Sequence, residues 1–193
     1  MRTVIKASLA AGMVLWVGVG VAGAAEEAAY VGTKMCMMCH KKPENGDQAG
    51  KWQASGHAKS FEVLGSAEAK AVGAKVGVDD PQKSGKCLKC HATAYAGTEG
   101  VKSEKVAVAD GVSCESCHGA GANYKAMAVM KDKAKAVAAG MVDPATKSCA
   151  QCHNEQSPTW KADRYTTKDG KKVGFDVEQA SEKIKHSNPN AKK

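Results

Sequence analysis

The eight cysteines of this 193-residue chain fall into four pairs, and a histidine closes each pair. The four stretches are Cys36-Met37-Met38-Cys39-His40, Cys87-Leu88-Lys89-Cys90-His91, Cys114-Glu115-Ser116-Cys117-His118 and Cys149-Ala150-Gln151-Cys152-His153. C-x-x-C-H is the spacing of covalent c-type haem attachment. Two thiols one turn apart add to the two vinyl groups of one porphyrin, and the adjacent imidazole faces the iron as its proximal ligand. Zinc knuckles also pair cysteines, but zinc needs no histidine directly after every second one. A redox C-x-x-C motif comes singly beside a βαβ pattern, and a disulfide scaffold fixes no histidine at all. The repeated pentapeptide therefore predicts four covalently bound haem c groups. They attach through Cys36, Cys39, Cys87, Cys90, Cys114, Cys117, Cys149 and Cys152.

The ligand count sharpens the question of function. Each iron has two axial positions, and the chain has six histidines for four irons. His40, His91, His118 and His153 are the proximal set. His57 and His186 remain, both in helical patterns near apolar residues, where distal ligands are expected. Only two irons can then be bis-histidine within one chain. The other two take a different ligand or stay open. Met127 and Met130 are candidates, since a thioether ligates haem iron and raises its potential, although their spacing also suits plain packing. Met35, Met37 and Met38 abut the first attachment site and aim less well at its far face. A histidine of a neighbouring subunit is a further source. An open iron would bind a small ligand such as nitric oxide.

The elements that must position these residues read as short helices. The motif starts at 36, 87, 114 and 149 show no fixed period, which argues for one irregular domain rather than a tandem array. Helices are expected over 51–64, with Trp52, His57, Phe61 and Leu64 roughly on one face, and over 67–75, capped by Ser66 and ended by Gly77. Two more are expected over 123–139, ended by Gly140, and over 177–186, capped by Asp176. Residues 92–112 read as a small irregular hairpin, and Asp169-Gly170 as a turn. Gly119-Ala120-Gly121 would allow close backbone approach to a haem. The expected fold is mainly α: an irregular helical multihaem cytochrome c fold with a haem-packed core and at most a small β-hairpin. Aromatic residues make up only 5% of the chain, so porphyrin faces have to supply much of the core. The haem-free chain is expected to be largely unfolded.

Residues 1–24 have the form of a secretory signal. Arg2 and Lys6 precede a short apolar run, and Ala22-Gly23-Ala24 offers the cleavage pattern. Residues 25–193 would form the single tetrahaem domain, exported to the periplasm or beyond, with no membrane span in the mature protein. The formal charge of +8 is not a nucleic-acid signal, because the two propionates on each haem offset it. Lys41-Lys42 and the run from Lys131 to Lys135 could steer an acidic redox partner, or simply form solvated faces.

Longer stretches carry a resemblance. The order is a first CxxCH, Trp52 with SGHAKSFEVL (55–64), KCLKCH (86–91), DGVSCESCHGAGANY (110–124), CAQCH (149–153), SPTW (157–160) and a closing FD…KIKH (175–186). This order resembles the tetrahaem cytochrome c-554 family of nitrogen metabolism across nearly the whole of residues 25–193. The resemblance implies a mainly helical fold with stacked haem pairs. It implies electron relay from a multihaem donor, typically hydroxylamine oxidoreductase, to a cytochrome or quinone-side acceptor. It implies three bis-histidine haems and a five-coordinate second haem. His57 matches the family's distal histidine for haem four, and His186 that for haem three. The family's third distal histidine, about ten residues after CESCH, is missing; Lys125 to Met130 stand there instead. The first haem is therefore Met-ligated or open.

Three functions follow. The leading one is an exported tetrahaem cytochrome that relays electrons between periplasmic redox partners by haem-to-haem transfer, with no catalytic residue of its own. The second is a small haem reductase acting on nitric oxide or a similar ligand at an open iron, for which no spare histidine remains as acid or base. The third is a subunit of an extracellular cytochrome polymer. The oligomeric state is open.

Overall fold

A computed structural model of the chain describes residues 29–93, 95, 103–143, 149–186 and 189. The expected signal, residues 1–24, lies outside the described residues. Eight α-helices and one two-stranded antiparallel sheet make up the regular structure among them.

Three of the attachment motifs form the ends of short helices: α1 (Thr33–His40), α4 (Gly85–His91) and α5 (Cys114–His118). In each the motif histidine is the last helical residue. A helix places residues i, i+3 and i+4 on one face, so both thiols and the imidazole point the same way. The remaining helices are α2 (Gln48–Gln53), α3 (Ala67–Lys75), α6 (Met127–Met130), α7 (Lys133–Ala138) and α8 (Val177–Ile184). Turns of 3-10 helix lie at Pro43–Asn45, Glu62–Gly65 and Val108–Asp110. Ser66 caps α3 by accepting from the Ala69 amide at 3.1 Å, and Asp176 caps α8 by accepting from Gln179 at 2.9 Å.

Three expected elements differ. The helix over 51–64 breaks after Gln53. Ser55 and Ser60 donate their hydroxyls to the carbonyls of Trp52 and His57, both at 2.7 Å, and so compete with the helical ladder. The helix over 123–139 splits into α6 and α7, because Asp132 accepts from the Lys135 amide at 3.1 Å and starts a new helix. Among the described residues of 92–112 there is no hairpin. The sheet lies instead around Asp169-Gly170, where β1 (Tyr165–Thr166) pairs with β2 (Lys172–Val173) in the register Tyr165↔Val173. His57 and His186 consequently sit in a turn and beyond a helix end, not on helices.

Buried apolar side chains are few. Leu64, Leu88 and Ala92 form one cluster, with Phe61, Cys87, Tyr95 and Val108 packed on it. This cluster fastens the segment just after His57 to the second attachment helix.

Candidate haem-binding site

The fold brings His57 to His153, with ring centroids 6.1 Å apart, and His186 to His118, at 6.0 Å. That separation has a physical meaning. An imidazole nitrogen binds a first-row metal at about 2 Å and lies about 1.1 Å from its ring centre, so two imidazoles flanking one iron have centroids about 6 Å apart. Both pairs therefore fit an iron between them. Among the described residues no other histidines pair in this way, so His40 and His91 each face none. Met127 is 63% exposed, and its helix α6 packs chiefly on α7 rather than on α1 or α4.

The proximal rings are oriented from behind. His91 Nδ1 donates to the Ser60 carbonyl at 2.7 Å, His118 Nδ1 to the Val142 carbonyl at 3.3 Å, and His40 Nδ1 to the side-chain carbonyl of Gln48 at 3.2 Å. A carbonyl only accepts, so each ring carries its proton on Nδ1 and keeps the Nε2 lone pair for a metal. His153 instead stacks on Phe175, centroids 4.7 Å apart and planes within 14°. Burial pushes the pKa of His57, His118 and His153 below the usual value, and the facing His186 and His57 push His118 and His153 further down. The neutral, ligating form is favoured in each case.

A set of polar latches holds the motifs together. Glu115, the first spacer residue of the third motif, is 2% exposed. Its carboxylate accepts from the backbone amides of Val31 at 2.9 Å, Gly32 at 2.9 Å and Gly121 at 2.7 Å. It thus ties the chain entering α1 to α5. Thr93, fully buried, donates its hydroxyl to the Gly111 carbonyl at 2.9 Å, accepts from the Ser113 amide at 2.7 Å and meets the Ser116 hydroxyl at 2.9 Å. The His57 turn is held by the Val112 amide, which donates to the His57 carbonyl at 3.0 Å, while Trp52 Nε1 donates to the Val112 carbonyl at 2.8 Å. Gly111, at φ 63°, makes this approach possible: a Cβ there would lie 2.6 Å from Ser60 Oγ and 2.7 Å from the His57 carbonyl. Gly121 likewise allows close approach, but to Val31 and Glu115. The sequence reading passed over Glu115, Thr93, Ser60 and Gln48. Only a carboxylate inside a C-x-x-C spacer was available as a signal.

The thiols show how the four motifs adjoin. Cys36 and Cys114 lie close enough to perturb each other's thiol, as do Cys90 and Cys152, and Cys117 lies within electrostatic reach of Cys149. By thiol proximity alone the contact order is first, third, fourth, second. Of the basic runs, Lys133 pairs with Asp143 at 2.7 Å and Lys135 with Asp132 at 3.6 Å, whereas Lys41 and Lys42 are exposed beside the first motif. No helix among the described residues is long and apolar enough to cross a membrane.

Paired imidazoles at iron-spanning distance beside C-x-x-C-H helices define the site of a c-type cytochrome. The family described as "Cytochrome c554 and c-prime" matches residues 35–119. Cytochrome c-554 of Nitrosomonas europaea is 34% identical over 106 residues, which cover 52% of this chain and 43% of that one. The chain thus matches less than half the length of this curated relative. The solved structure of reduced cytochrome c554 from the same organism superimposes with a TM-score of 0.51 at 26% identity, covering 81% of this chain and 78% of that one. These likenesses support a place for the chain in the cytochrome c-554 family, and the mainly helical fold is the expected one.

Proposed function

We propose that the chain is an exported electron-transfer cytochrome carrying four haems, with His57 the distal ligand opposite His153 and His186 the distal ligand opposite His118. The observation that carries this reading is the pair of histidine couples at 6.1 and 6.0 Å. Haem supplies one-electron redox chemistry when bound. The chain's own part is to hold four attachment sites in the thiol order first, third, fourth, second, and to fix the tautomer of the His40, His91 and His118 imidazoles. The first and second sites lie at the ends of that order and are the natural points of entry and exit. The partners are periplasmic redox proteins: a multihaem oxidoreductase as donor, and a cytochrome or quinone-side protein as acceptor. The exposed Lys41 and Lys42 beside the first site favour a partner with an acidic surface.

Replacing His57 or His186 with alanine in the haem-loaded protein tests this. Each variant should keep four haems by pyridine haemochrome and convert one low-spin iron to high-spin in electron paramagnetic resonance. Unchanged low-spin content in both would refute the ligand assignment. A second reading has one observation in its favour: His40 and His91 face no histidine among the described residues. An open iron at either site would take up nitric oxide, giving the reductase function. An optical titration with nitric oxide tests it, and no spectral change in the oxidised or reduced protein excludes it. Where Met127 or Met130 fills the first site, its alanine variant should lose the long-wavelength absorption of Met–iron ligation.

A further inference from the structure

The first attachment site differs from the others in what stands behind its proximal ring. His91 and His118 give their Nδ1 protons to main-chain carbonyls, those of Ser60 and Val142. His40 gives its proton to a side chain, Gln48 Oε1, at 3.2 Å. The orientation of that amide is set by a second bond, since Gln48 Nε2 donates to the Asn45 carbonyl. Asn45 Nδ2 in turn donates to the Cys39 carbonyl at 2.9 Å, inside the motif itself. The chain between α1 and α2 is shaped for this return. Gly46 takes a left-handed conformation at φ 98°, and Asp47 caps α2 by accepting from the Gly50 amide at 3.1 Å, so that Gln48 opens the helix facing His40.

We propose that Gln48 is the positioning residue of the first haem site, holding the Nδ1 proton of His40 and thereby setting the donor strength of that imidazole toward iron. The proposal rests on His40 being a proximal haem ligand. A stronger acceptor at Nδ1 gives the ring more imidazolate character, stabilises the oxidised iron and lowers its potential; removing the acceptor does the reverse. A main-chain carbonyl offers one fixed acceptor strength. A glutamine side chain is an acceptor that substitution can remove or charge. It stands at a site that faces no second histidine among the described residues, at one end of the thiol contact order. Gln48 therefore sets the driving force at a terminal site without touching the iron.

The test is a spectroelectrochemical titration of haem-loaded wild type, Gln48→Leu and Gln48→Glu, with haem content checked by pyridine haemochrome. The Glu variant should move one of the four midpoint potentials downward, the Leu variant should move the same one upward, and the other three should stay in place. A downward shift with Glu and none with Leu would mean that charge alone acts, which overturns the proposal. No shift in either variant at full haem content also overturns it, as does a shift spread over all four centres. A Cys36→Ala/Cys39→Ala variant separates the underlying reading. If it retains as many haems as wild type, His40 is not a haem ligand and the proposal falls with that reading. If it loses one haem together with the responsive midpoint, both stand.

Discussion

Glu115→Gln is the most informative single perturbation of this fold, because it changes one atom in a buried cradle and leaves the shape alone. In the wild type one carboxylate oxygen accepts from Val31 and Gly121, and the other from Gly32. The amide can keep its oxygen toward Val31 and Gly121, but its NH2 then faces the Gly32 N–H, donor against donor. One bond is lost and one buried amide is orphaned, costing on the order of 2 kcal/mol. Glu115→Ala orphans all three amides and should cost on the order of 4 kcal/mol, a large part of the roughly 5–15 kcal/mol that holds a domain folded. With a urea slope of about 2 kcal/mol/M, the midpoints should fall by about 1 M and about 2 M respectively. Urea titration of the haem-loaded proteins by far-ultraviolet circular dichroism reads these shifts. Hydrogen exchange at the Gly32 amide should accelerate in both variants, and at the Gly121 amide in Glu115→Ala. A Glu115→Gln midpoint equal to that of wild type, with unchanged exchange at Gly32, would refute the argument that this carboxylate joins α1 to α5.

Two further outcomes follow from the other latches. Thr93→Val keeps the volume but removes a hydroxyl bonded to Gly111, Ser113 and Ser116; a loss of about 2 kcal/mol should lower the melting temperature by roughly 4–8 °C in a thermal scan. Gly111→Ala forces a Cβ onto a backbone at φ 63° and ψ −141° and into the Ser60 and His57 oxygens; beyond a strain of about 2 kcal/mol, it should displace the His57 turn and raise the high-spin fraction of one iron in electron paramagnetic resonance.

Much of the site was legible because covalent haem attachment is a rule about spacing, and spacing is written directly in the sequence. Counting histidines isolated His57 and His186 by elimination. Which motif each would face was open to the resemblance alone, because it depends on contacts between residues far apart in the chain. The helix over 51–64 failed for a related reason. The pattern of Trp52, His57, Phe61 and Leu64 is helical, yet the His57 carbonyl is claimed by Ser60 and by the distant Val112. Local periodicity cannot register a competitor that arrives from 55 positions away. Glu115 was hidden differently: a spacer residue in C-x-x-C reads as free to vary, and only the fold shows that its carboxylate points into backbone amides.

The latches also explain why a chain so poor in large apolar side chains can hold its attachment sites in register. Hydrophobic contact is non-directional and fixes orientation weakly, whereas hydrogen bonds from buried carboxylates and hydroxyls to backbone amides fix both distance and angle. Axial ligation needs that orientation, since an imidazole must aim its lone pair at one point. The latches converge on the third motif: Glu115 reaches back to the chain entering α1, Ser113 and Ser116 bond to Thr93 after the second motif, and Val112 grips the His57 turn that faces the fourth. The third motif also touches the first through Cys36 and Cys114 and approaches the fourth through Cys117 and Cys149. It is the hub from which the other three take their positions, so damage to its spacer residues should disturb every centre, while damage around the first motif, as at Gln48, should disturb one.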